Sequence, residues 1–383
     1  MELIKTNKEL KEACKKLNKA KFITIDTEFI REKTYWSQLC LIQVCSGESE
    51  FIIDPLEEDI DLKPFIKILN KKSILKVFHS GRQDIEIFFK ISGKIPSPIF
   101  DTQIAAMVCG FGDSVGYEKL VDKLLRKKID KSSRFSNWAK RPLTNKQLNY
   151  AIGDVTHLFE IYPILNDALK EKKRTRWLDE ELQILTSENT YNTDPELAYK
   201  RLKIRGYDLK TRGVTFQLAK WREERAQNNN IPRGRVIRDD IIYELSSMKP
   251  KSINEIMSLR SFSNGLRLKE NVINEIQEQI LIGLSLKEEN LPKLPEKRKL
   301  PHGTNSRVSL LKILLNSISE ENEVAQKLIA STQDLEDLIA DDSADIKTLK
   351  GWRYDLFGKK ALDFKNGKVA ITMEENSVIL KYI

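Results

Sequence analysis

The sequence contains few residues that bind soft metals or form disulfide bonds. It has four cysteines and three histidines among 383 residues. No two cysteines form a CxxC pair, and none has a zinc-finger spacing to a histidine, so the sequence predicts neither a zinc site nor a disulfide framework. The cysteines are therefore expected to be reduced thiols in the core of a cytosolic protein.

The sequence also lacks a long apolar run. No stretch approaches the ~18 consecutive apolar residues that a membrane-spanning helix needs. The first stretch, MELIKTNKELKEACKKLNKAK, is charged throughout and contains no apolar core of a signal peptide. A Walker A phosphate-binding pattern is absent as well. The sequence therefore predicts a cytoplasmic protein with no membrane partner.

Positive charge is in excess. Lysine and arginine number 65 against 56 aspartates and glutamates, which gives a formal net charge of +9. Hydrophobic residues make up 40% and charged residues 32% of the chain, a composition typical of folded globular proteins rather than disordered ones. An excess of this size suggests an acidic partner such as nucleic acid, but charge alone is as compatible with a role in solubility.

Strand-like and helix-like segments alternate in the first part of the chain. KFITIDTEF, LCLIQVCS and SEFIIDP follow each other closely and read as strands, and ILKVFH reads as a fourth. Helices are expected at residues 62–69 and in GRQDIEIFFKI, and the chain is expected to be helical from Asp101 to about Lys173. This order predicts an α/β domain with a mixed sheet flanked by helices.

The remainder of the chain shows almost no strand signal. From about Trp177 onward, apolar residues recur at helical spacing, and residues 287–305 hold three prolines in a mixed-charge run typical of a linker. We therefore predict two small all-α domains after the α/β domain. The predicted boundaries are 1–170 for the α/β domain, 171–207 for a helical connector, 208–286 for the first all-α domain, 287–304 for the linker and 305–383 for the second all-α domain.

Two acids end one of the most strand-like segments. Side chains alternate between the faces of a strand, so Asp26 and Glu28 of FITIDTEF point the same way. Two like-charged carboxylates side by side repel each other unless a positive charge lies between them. The pair is therefore either a cation site or the polar start of a solvated loop.

A third acid falls on the apolar face of a predicted helix. In HSGRQDIEIFF, Asp84 is followed at helical spacing by Ile87, Phe88 and Ile91. A lone buried carboxylate must be paired, protonated or bound to a metal ion, and no lysine or arginine shares this stripe. The alternative is an ordinary acid in the first turn, where the helix dipole favours negative charge.

A fourth acid lies on a helix whose start is marked in the sequence. In RPLTNKQLNYAIGDVTHL, Thr144 and Gln147 have capping-box spacing, which predicts a helix that begins near Asn145. Tyr150 and Asp154 are four residues apart and therefore neighbours on one side of this helix. Taken alone, the pair is equally compatible with an ordinary exposed ring beside an exposed acid.

Together, these residues resemble the active-site signature of the DEDD exonuclease superfamily. Asp26, Glu28, Asp84 and Asp154 occur in the order of that signature, and Tyr150, four residues before the last acid, is typical of the DEDDy branch. HSGRQDIEIF, FDTQIAAM and WAKRPLTNKQLNYAIGDV resemble the ribonuclease D family. TRGVTFQLAKWREERAQ resembles an HRDC module, and GWRYDLFGKKALDF is weakly similar to the second HRDC-like domain of these enzymes.

The resemblance implies a ribonuclease H-like exonuclease domain followed by two HRDC-type domains. It also implies that the protein hydrolyses RNA from the 3′ end and releases nucleoside 5′-monophosphates. The expected cofactors are two divalent ions, Mg²⁺ or Mn²⁺, which prefer oxygen ligands and can clamp a phosphodiester when ~3.5–4 Å apart. The resemblance assigns Asp26, Glu28 and Asp154 to one ion and Asp26 with the substrate phosphate to the other, while Asp84 acts largely through ordered water.

Four further side chains have expected roles at this site. Tyr150 is expected to orient the attacking water, because a phenol with a pKa near ~10 is a poor general base. His79 is either a packing and hydrogen-bonding residue or a substrate contact. Arg82 is either a phosphate contact or a solvated charge, and Gln83 is a weaker substrate-binding candidate beside it.

The resemblance also implies a biological role. The expected function is 3′ maturation of tRNA precursors by a monomeric enzyme that needs no obligatory protein partner. Basic residues of the first helical module either contact RNA or are only solvated. They are Lys210, Arg212, Lys220, Arg222, Arg233, Arg235 and Arg238. Two alternatives stay open, a DNA 3′–5′ exonuclease of the same superfamily and a catalytically silent nucleic-acid-binding protein.

Overall fold

The chain folds into two compact units. The computed structural model describes residues 1–204, 208–263, 267–293, 300–375 and 377–383. The first unit comprises Met1–Glu28, Leu39–Thr190 and Lys297–Ile383, and the second comprises Phe29–Gln38 and Tyr191–Glu296. Both units are discontinuous in sequence, whereas the boundaries expected from the sequence are linear, so those boundaries stay a prediction.

A six-stranded mixed sheet forms the centre of the first unit. Its strands are β1 (Glu2–Ile4), β2 (Phe22–Ile30), β3 (Gln38–Cys45), β4 (Glu50–Ile53), β5 (Leu75–Phe78) and β6 (Ile99–Asp101). They lie in the order β1-β4-β3-β2-β5-β6. β1 pairs in parallel with β4, β2 with β5, and β5 with β6, whereas β3 and β4 are antiparallel. The predicted mixed sheet is confirmed, and β2 is one of its inner strands.

Helices flank this sheet. They are α1 (Asn7–Leu17), α2 (Lys63–Leu69), α3 (Arg82–Ser92), α4 (Thr102–Val108), α5 (Tyr117–Leu125), α6 (Asn145–Glu171) and α7 (Thr175–Thr186). The expectation of continuous helix from Asp101 to Lys173 is wrong, because residues 126–144 form a loop rich in turn-forming residues between α5 and α6. None of the described helices is both long enough and apolar enough to span a membrane.

The second unit is a helical bundle. Its helices are α8 (Leu209–Asn228), α9 (Arg233–Val236), α10 (Asp239–Met248), α11 (Ile253–Ser258), α12 (Arg260–Ser263) and α13 (Glu270–Ser285). Leu218, Ile242 and Ile276 belong to its buried core, and Tyr35 joins this core from the Phe29–Gln38 segment. The Arg233 guanidinium donates to both the Tyr35 hydroxyl and a carboxylate of the bundle, so Arg233 is not part of a free basic surface.

The C-terminal part of the first unit is mostly helical. Its helices are α14 (Thr304–Glu321), α15 (Gln326–Ile329), α16 (Thr332–Ala340), α17 (Gly351–Arg353) and α18 (Lys359–Lys365). An antiparallel hairpin of β7 (Val369–Glu374) and β8 (Ser377–Tyr382) follows them. The prediction of an all-α domain is therefore wrong here, because VAITME and SVILKY carry the β-branched residues and the alternation that favour strands.

The C-terminal helices pack against the sheet domain within the same unit. The rings of Trp177 in α7 and Trp352 in α17 stack with centroids 4.2 Å apart. The backbone N–H of Ala325 donates to the carbonyl of Met107 at 3.0 Å, and Arg174 donates to the carbonyl of Glu323 at 2.9 Å. These contacts fix α4 and α7 against the C-terminal helices.

Candidate active site

Two of the four acids come from β2. Asp26 and Glu28 occupy alternate positions of this strand, and both side chains are partly exposed. One carboxylate oxygen from each of Asp26, Glu28 and Asp154 lies within 4.8 Å of the others. Period-two alternation along the strand brings the first two oxygens to the same face, as expected from the sequence. Asp84 is not a member of this closest group.

Asp154 reaches the cluster because α6 lies against β2. Thr144 caps the helix through the predicted capping box with Gln147. Farther along, the Thr24 hydroxyl of β2 donates to the carbonyl of Val155 at 2.7 Å. The hydroxyl of Tyr117 in α5 donates to the carbonyl of Asp154 at 2.5 Å. These bonds from two neighbouring elements fix the turn of α6 that carries Asp154.

Asp84 lies in the first turn of α3 and is buried. The Thr27 hydroxyl of β2 donates to one of its carboxylate oxygens. The turn before α3 is held by Asp101, whose carboxylate accepts from the backbone N–H groups of Ser80 at 3.2 Å and Gly81 at 2.8 Å. Asp84 is thus placed beside β2 by a hydrogen bond to the strand and by an anchored turn.

All four acids have raised pKa values. Burial, followed by repulsion from Asp84, Asp154 and Glu28, raises the pKa of Asp26 well above its usual range. Burial and the charges of Asp154 and Asp84 raise the pKa of Glu28 to about 9. Burial raises the pKa of Asp154 to about 7 and that of Asp84 to about 6. No ion pair joins these acids to a lysine or arginine in the described parts of the chain.

Tyr150 lies beside this cluster. Its hydroxyl interacts with Asp154 and lowers the pKa of that acid, and its ring lies 6.0 Å from the buried ring of Trp138. Burial and the charges of Asp154, Glu28 and Asp26 raise the pKa of the phenol further above its usual range. The core-packing role expected for Trp138 agrees with its 2% exposure. A protonated phenol is therefore held next to three carboxylates.

The three candidates for substrate contact, His79, Arg82 and Gln83, do not share one environment. His79 Nδ1 lies 3.0 Å from the hydroxyl of Thr102, which itself donates to the carbonyl of Phe78 at 3.1 Å. The Thr102 hydroxyl must therefore accept a hydrogen from Nδ1, and this contact favours the packing role of His79 over substrate contact. Arg82 and Gln83 lie exposed in the first turn of α3.

Several residues that position the acids are not among the candidates from the sequence. Thr27 could have been found there, because it lies between the two acids of β2. Tyr117 and Asp101 are distant in sequence from the residues that they hold, so no local spacing marks them. Arg141 is a similar case, because its guanidinium donates at 2.6 Å to each carboxylate oxygen of Asp54 and so fixes the loop before α6. Only the folded structure joins these pairs.

The fold and the acid cluster together define a class of protein. A mixed six-stranded sheet that carries two acids on an inner strand and two on adjoining helices is the arrangement of a 3′–5′ exonuclease. Residues 1–170 match the family model of the 3′–5′ exonuclease domain, and residues 212–269 match the model of the HRDC domain. Nucleases of this fold depend on divalent metal ions.

Similarity to full-length relatives indicates one family within this class of exonucleases. Ribonuclease D of Nitrobacter hamburgensis is 43% identical over 379 residues, which are 99% of either chain. Ribonuclease D of Bartonella henselae is 39% identical over 100% of this chain and 94% of its own. The crystal structure of Escherichia coli RNase D, an exoribonuclease involved in structured RNA processing, is similar with a TM-score of 0.80 and 26% identity over 96% of this chain and 98% of its own.

The chain therefore belongs to the ribonuclease D family of 3′–5′ exoribonucleases. The family resemblance recognised in the sequence motifs is confirmed, as is the succession of an exonuclease domain and a helical HRDC domain.

Proposed function

We propose that the four acids hold divalent metal ions, Mg²⁺ or Mn²⁺, and that this cluster is the catalytic centre. The observation that carries the proposal is the approach of three carboxylate oxygens to within 4.8 Å of one another. Such a group is electrostatically unfavourable in the ionised state, as the raised pKa values of Asp26 and Glu28 indicate. A hard cation with oxygen ligands fits this donor set.

Each acid has a distinct place in the proposed site. Asp26, Glu28 and Asp154 would share one ion, because their oxygens are mutually close. Asp26 would hold a second ion together with the substrate phosphate, while Asp84, already bonded to Thr27, would act through ordered water. When bound, two such ions supply positive charge that stabilises the attacking and leaving oxygens of a phosphodiester.

Tyr150 is proposed to orient the attacking water. Its phenol stays protonated at neutral pH because burial and neighbouring acids raise its pKa, so it is unsuited to act as a general base. Its hydroxyl interacts with the Asp154 carboxylate and lowers the pKa of that acid. The residue therefore contributes position rather than proton abstraction.

The proposed reaction is hydrolysis of RNA from its 3′ end with release of nucleoside 5′-monophosphates. The proposed role is 3′ maturation of tRNA precursors by a monomer. Support comes from the full-length relatives named ribonuclease D and from the description of the Escherichia coli enzyme in structured RNA processing. The cytoplasmic location expected from the sequence stays a prediction.

We further propose that the second unit binds RNA through an arginine-lined pocket. A cavity of about 550 Å³ lies between α9, α10, α12 and the residues that precede α13. Arg235, Arg238, Arg260 and Arg267 line it, and no acidic residue does. Arg238 pairs with Asp240 at 3.0 Å, whereas the other three side chains form no ion pair with any described residue. Phosphate groups are the ligands that such a pocket favours.

A time course on labelled RNA tests the catalytic proposal. A tRNA precursor with a 3′ extension, labelled at either end, is incubated with Mn²⁺ or with EDTA, and the Asp26→Asn protein is the control. We expect immediate release of labelled mononucleotide from the 3′ label, stepwise shortening of the 5′-labelled strand, and neither with EDTA or with Asp26→Asn. Trimming of DNA but not RNA would instead indicate the DNA exonuclease alternative, and trimming of neither would indicate a binding protein.

A further inference from the structure

Phe135 is the most exposed large hydrophobic side chain in the described part of the chain, at 92%. A single exposed apolar residue needs no explanation by itself. The position of Phe135 is informative, however, because it lies in the loop of residues 126–144 that leads into α6. This loop ends six residues before Tyr150, which lies in the acid cluster described above.

The loop is anchored on both sides of Phe135. Ser133 is 4% exposed, and Trp138 is buried with its ring near that of Tyr150. The Arg141 guanidinium donates to the carbonyl of Trp138 at 2.7 Å as well as to the buried carboxylate of Asp54. Anchors on each side hold the backbone at residues 134 and 135 while their side chains point into solvent.

Arg134 adds a positive charge to this exposed ring. Its guanidinium carbon lies 5.3 Å from the centroid of the Phe135 ring. Two other basic residues of the loop are paired with acids, Lys127 with Glu160 and Lys131 with Glu118. Arg134 forms no ion pair with a described residue.

We propose that Phe135 and Arg134 form a binding platform for the single-stranded 3′ end of the RNA substrate. The Phe135 ring stacks on a base among the last nucleotides, and the Arg134 guanidinium contacts a backbone phosphate. The inference rests on the proposed hydrolysis of RNA at the acid cluster, and it adds the residues that hold the strand there.

The chemistry of the two side chains favours a nucleotide over a protein partner. Every base presents a flat face to an aromatic ring whatever its sequence, and arginine binds phosphate by charge-assisted hydrogen bonds. One exposed ring beside one cation is too small for a protein interface, which needs a contiguous apolar centre. A platform of this kind is sequence-tolerant, as an exonuclease that removes successive nucleotides requires.

Steady-state kinetics on an unstructured RNA oligonucleotide tests the platform. We expect Phe135→Ala to raise KM about 5- to 100-fold, the range of one lost base–aromatic stack, with kcat unchanged. Phe135→Trp should restore KM, because any aromatic face can stack. Arg134→Gln should reduce the slope of log KM against log salt concentration by about one, as for one lost phosphate contact. Tyr382→Ala, which removes another exposed aromatic ring at 74% exposure, is the matched control and should leave KM unchanged.

Abasic substrates identify the stacked base. The oligonucleotide is made with one abasic nucleotide at each of the last four positions in turn. At one of them, wild type and Phe135→Ala should have the same KM, because there is no base left to stack. The proposal would be wrong if the ratio of the Phe135→Ala KM to the wild-type KM stayed the same on all four abasic substrates. It would also be wrong if Phe135→Ala had the wild-type KM on the intact oligonucleotide.

Binding measurements separate this inference from the proposed function. The affinity of the Asp26→Asn protein for the same oligonucleotide is compared with that of Asp26→Asn/Phe135→Ala by fluorescence anisotropy. A higher Kd in the double variant supports the platform even if the protein does not hydrolyse RNA. Equal Kd values in these two proteins, together with normal trimming by the wild type, would reject the platform and leave the proposed function standing.

Discussion

The phenol of Tyr150 lies among acids that keep it protonated. Its raised pKa excludes an effective role as a base near neutral pH. The same acids have no cationic partner among the described residues, so they are suited to metal ions rather than to a structural ion-pair network. Burial and the proximity of the acids to one another account for both properties.

Replacing Tyr150 by phenylalanine should therefore separate catalysis from binding. We expect Tyr150→Phe to lower kcat by about 10²-fold or more, because it removes the hydroxyl that orients water but keeps the ring. The Kd for RNA should stay within about twofold, as the ring contact with Trp138 does not need the hydroxyl. Single-turnover rates in Mn²⁺ and anisotropy titrations in EDTA measure the two quantities.

A matched control lies on the same helix. The Tyr162 ring packs against Phe22 and Phe100, and its hydroxyl forms no hydrogen bond with a described residue. Tyr162→Phe should therefore leave both kcat and Kd unchanged. An equal loss of rate and binding in Tyr150→Phe would refute a water-orienting role.

At the level of secondary structure, local patterns predicted those elements whose signal lies within one stretch of sequence. The β2 alternation that places Asp26 and Glu28 together and the capping box at Thr144 are such signals. β1 and β6 were not predicted, because three-residue strands are too short to show alternation and form by pairing with distant strands. The Tyr117 bond to Asp154 likewise joins residues 37 positions apart, which no spacing rule connects.

The close packing of α8 and α13 makes a prediction about the second unit. A Cβ atom added to Gly283 would lie 2.6 Å from the Cα of Val214 and 2.8 Å from the carbonyl oxygen of Gly213, both of them backbone atoms. Gly283→Ala should therefore push the two helices apart and destabilise the bundle by up to about 2 kcal/mol, because a gain of about 1 kcal/mol in helix propensity offsets only part of an overpacking cost of about 1–3 kcal/mol.

Thermal unfolding followed by circular dichroism measures this effect. Gly234→Ala is the matched control, because a Cβ atom there meets nothing within 4 Å and Gly234 lies outside the left-handed region. The control should unfold at or above the wild-type temperature. A Gly283→Ala protein with an unchanged unfolding transition would show that α8 and α13 can separate at no cost.

At the scale of the whole molecule, the chain combines a cluster of four acids with a net charge of +9. The excess must therefore lie elsewhere, and part of it lines the pocket of the second unit. Two of the basic residues expected at an RNA surface are instead structural, because Arg222 is buried and pairs with Asp239 and Arg233 pairs with Glu223. The number of basic residues can be read from the sequence. Which of them are buried in ion pairs and which are accessible to RNA can be read only from the structure.

The arginine-lined pocket predicts a salt-dependent contribution to RNA affinity. Replacing Arg235, Arg260 and Arg267 together by glutamine should weaken binding of a tRNA precursor to the Asp26→Asn protein. It should also reduce the slope of log K against log salt concentration by about two to three, since each lost phosphate contact lowers it by about one. In the catalytically competent protein, kcat on a short single-stranded RNA should stay unchanged, because the active-site acids are untouched. A binding surface on the same chain raises the local concentration of long substrates, so only those should show a higher KM.

The control removes the same charge from exposed lysines of the same unit. Lys200, Lys251 and Lys287 lie outside the pocket and are exposed, so their joint replacement by glutamine lowers the net charge by the same three units. If the pocket binds phosphate, the arginine variant loses clearly more affinity and more salt dependence than the lysine variant. Equal losses in the two variants would mean that the second unit attracts RNA only through its overall charge, and the pocket would then have no part in binding.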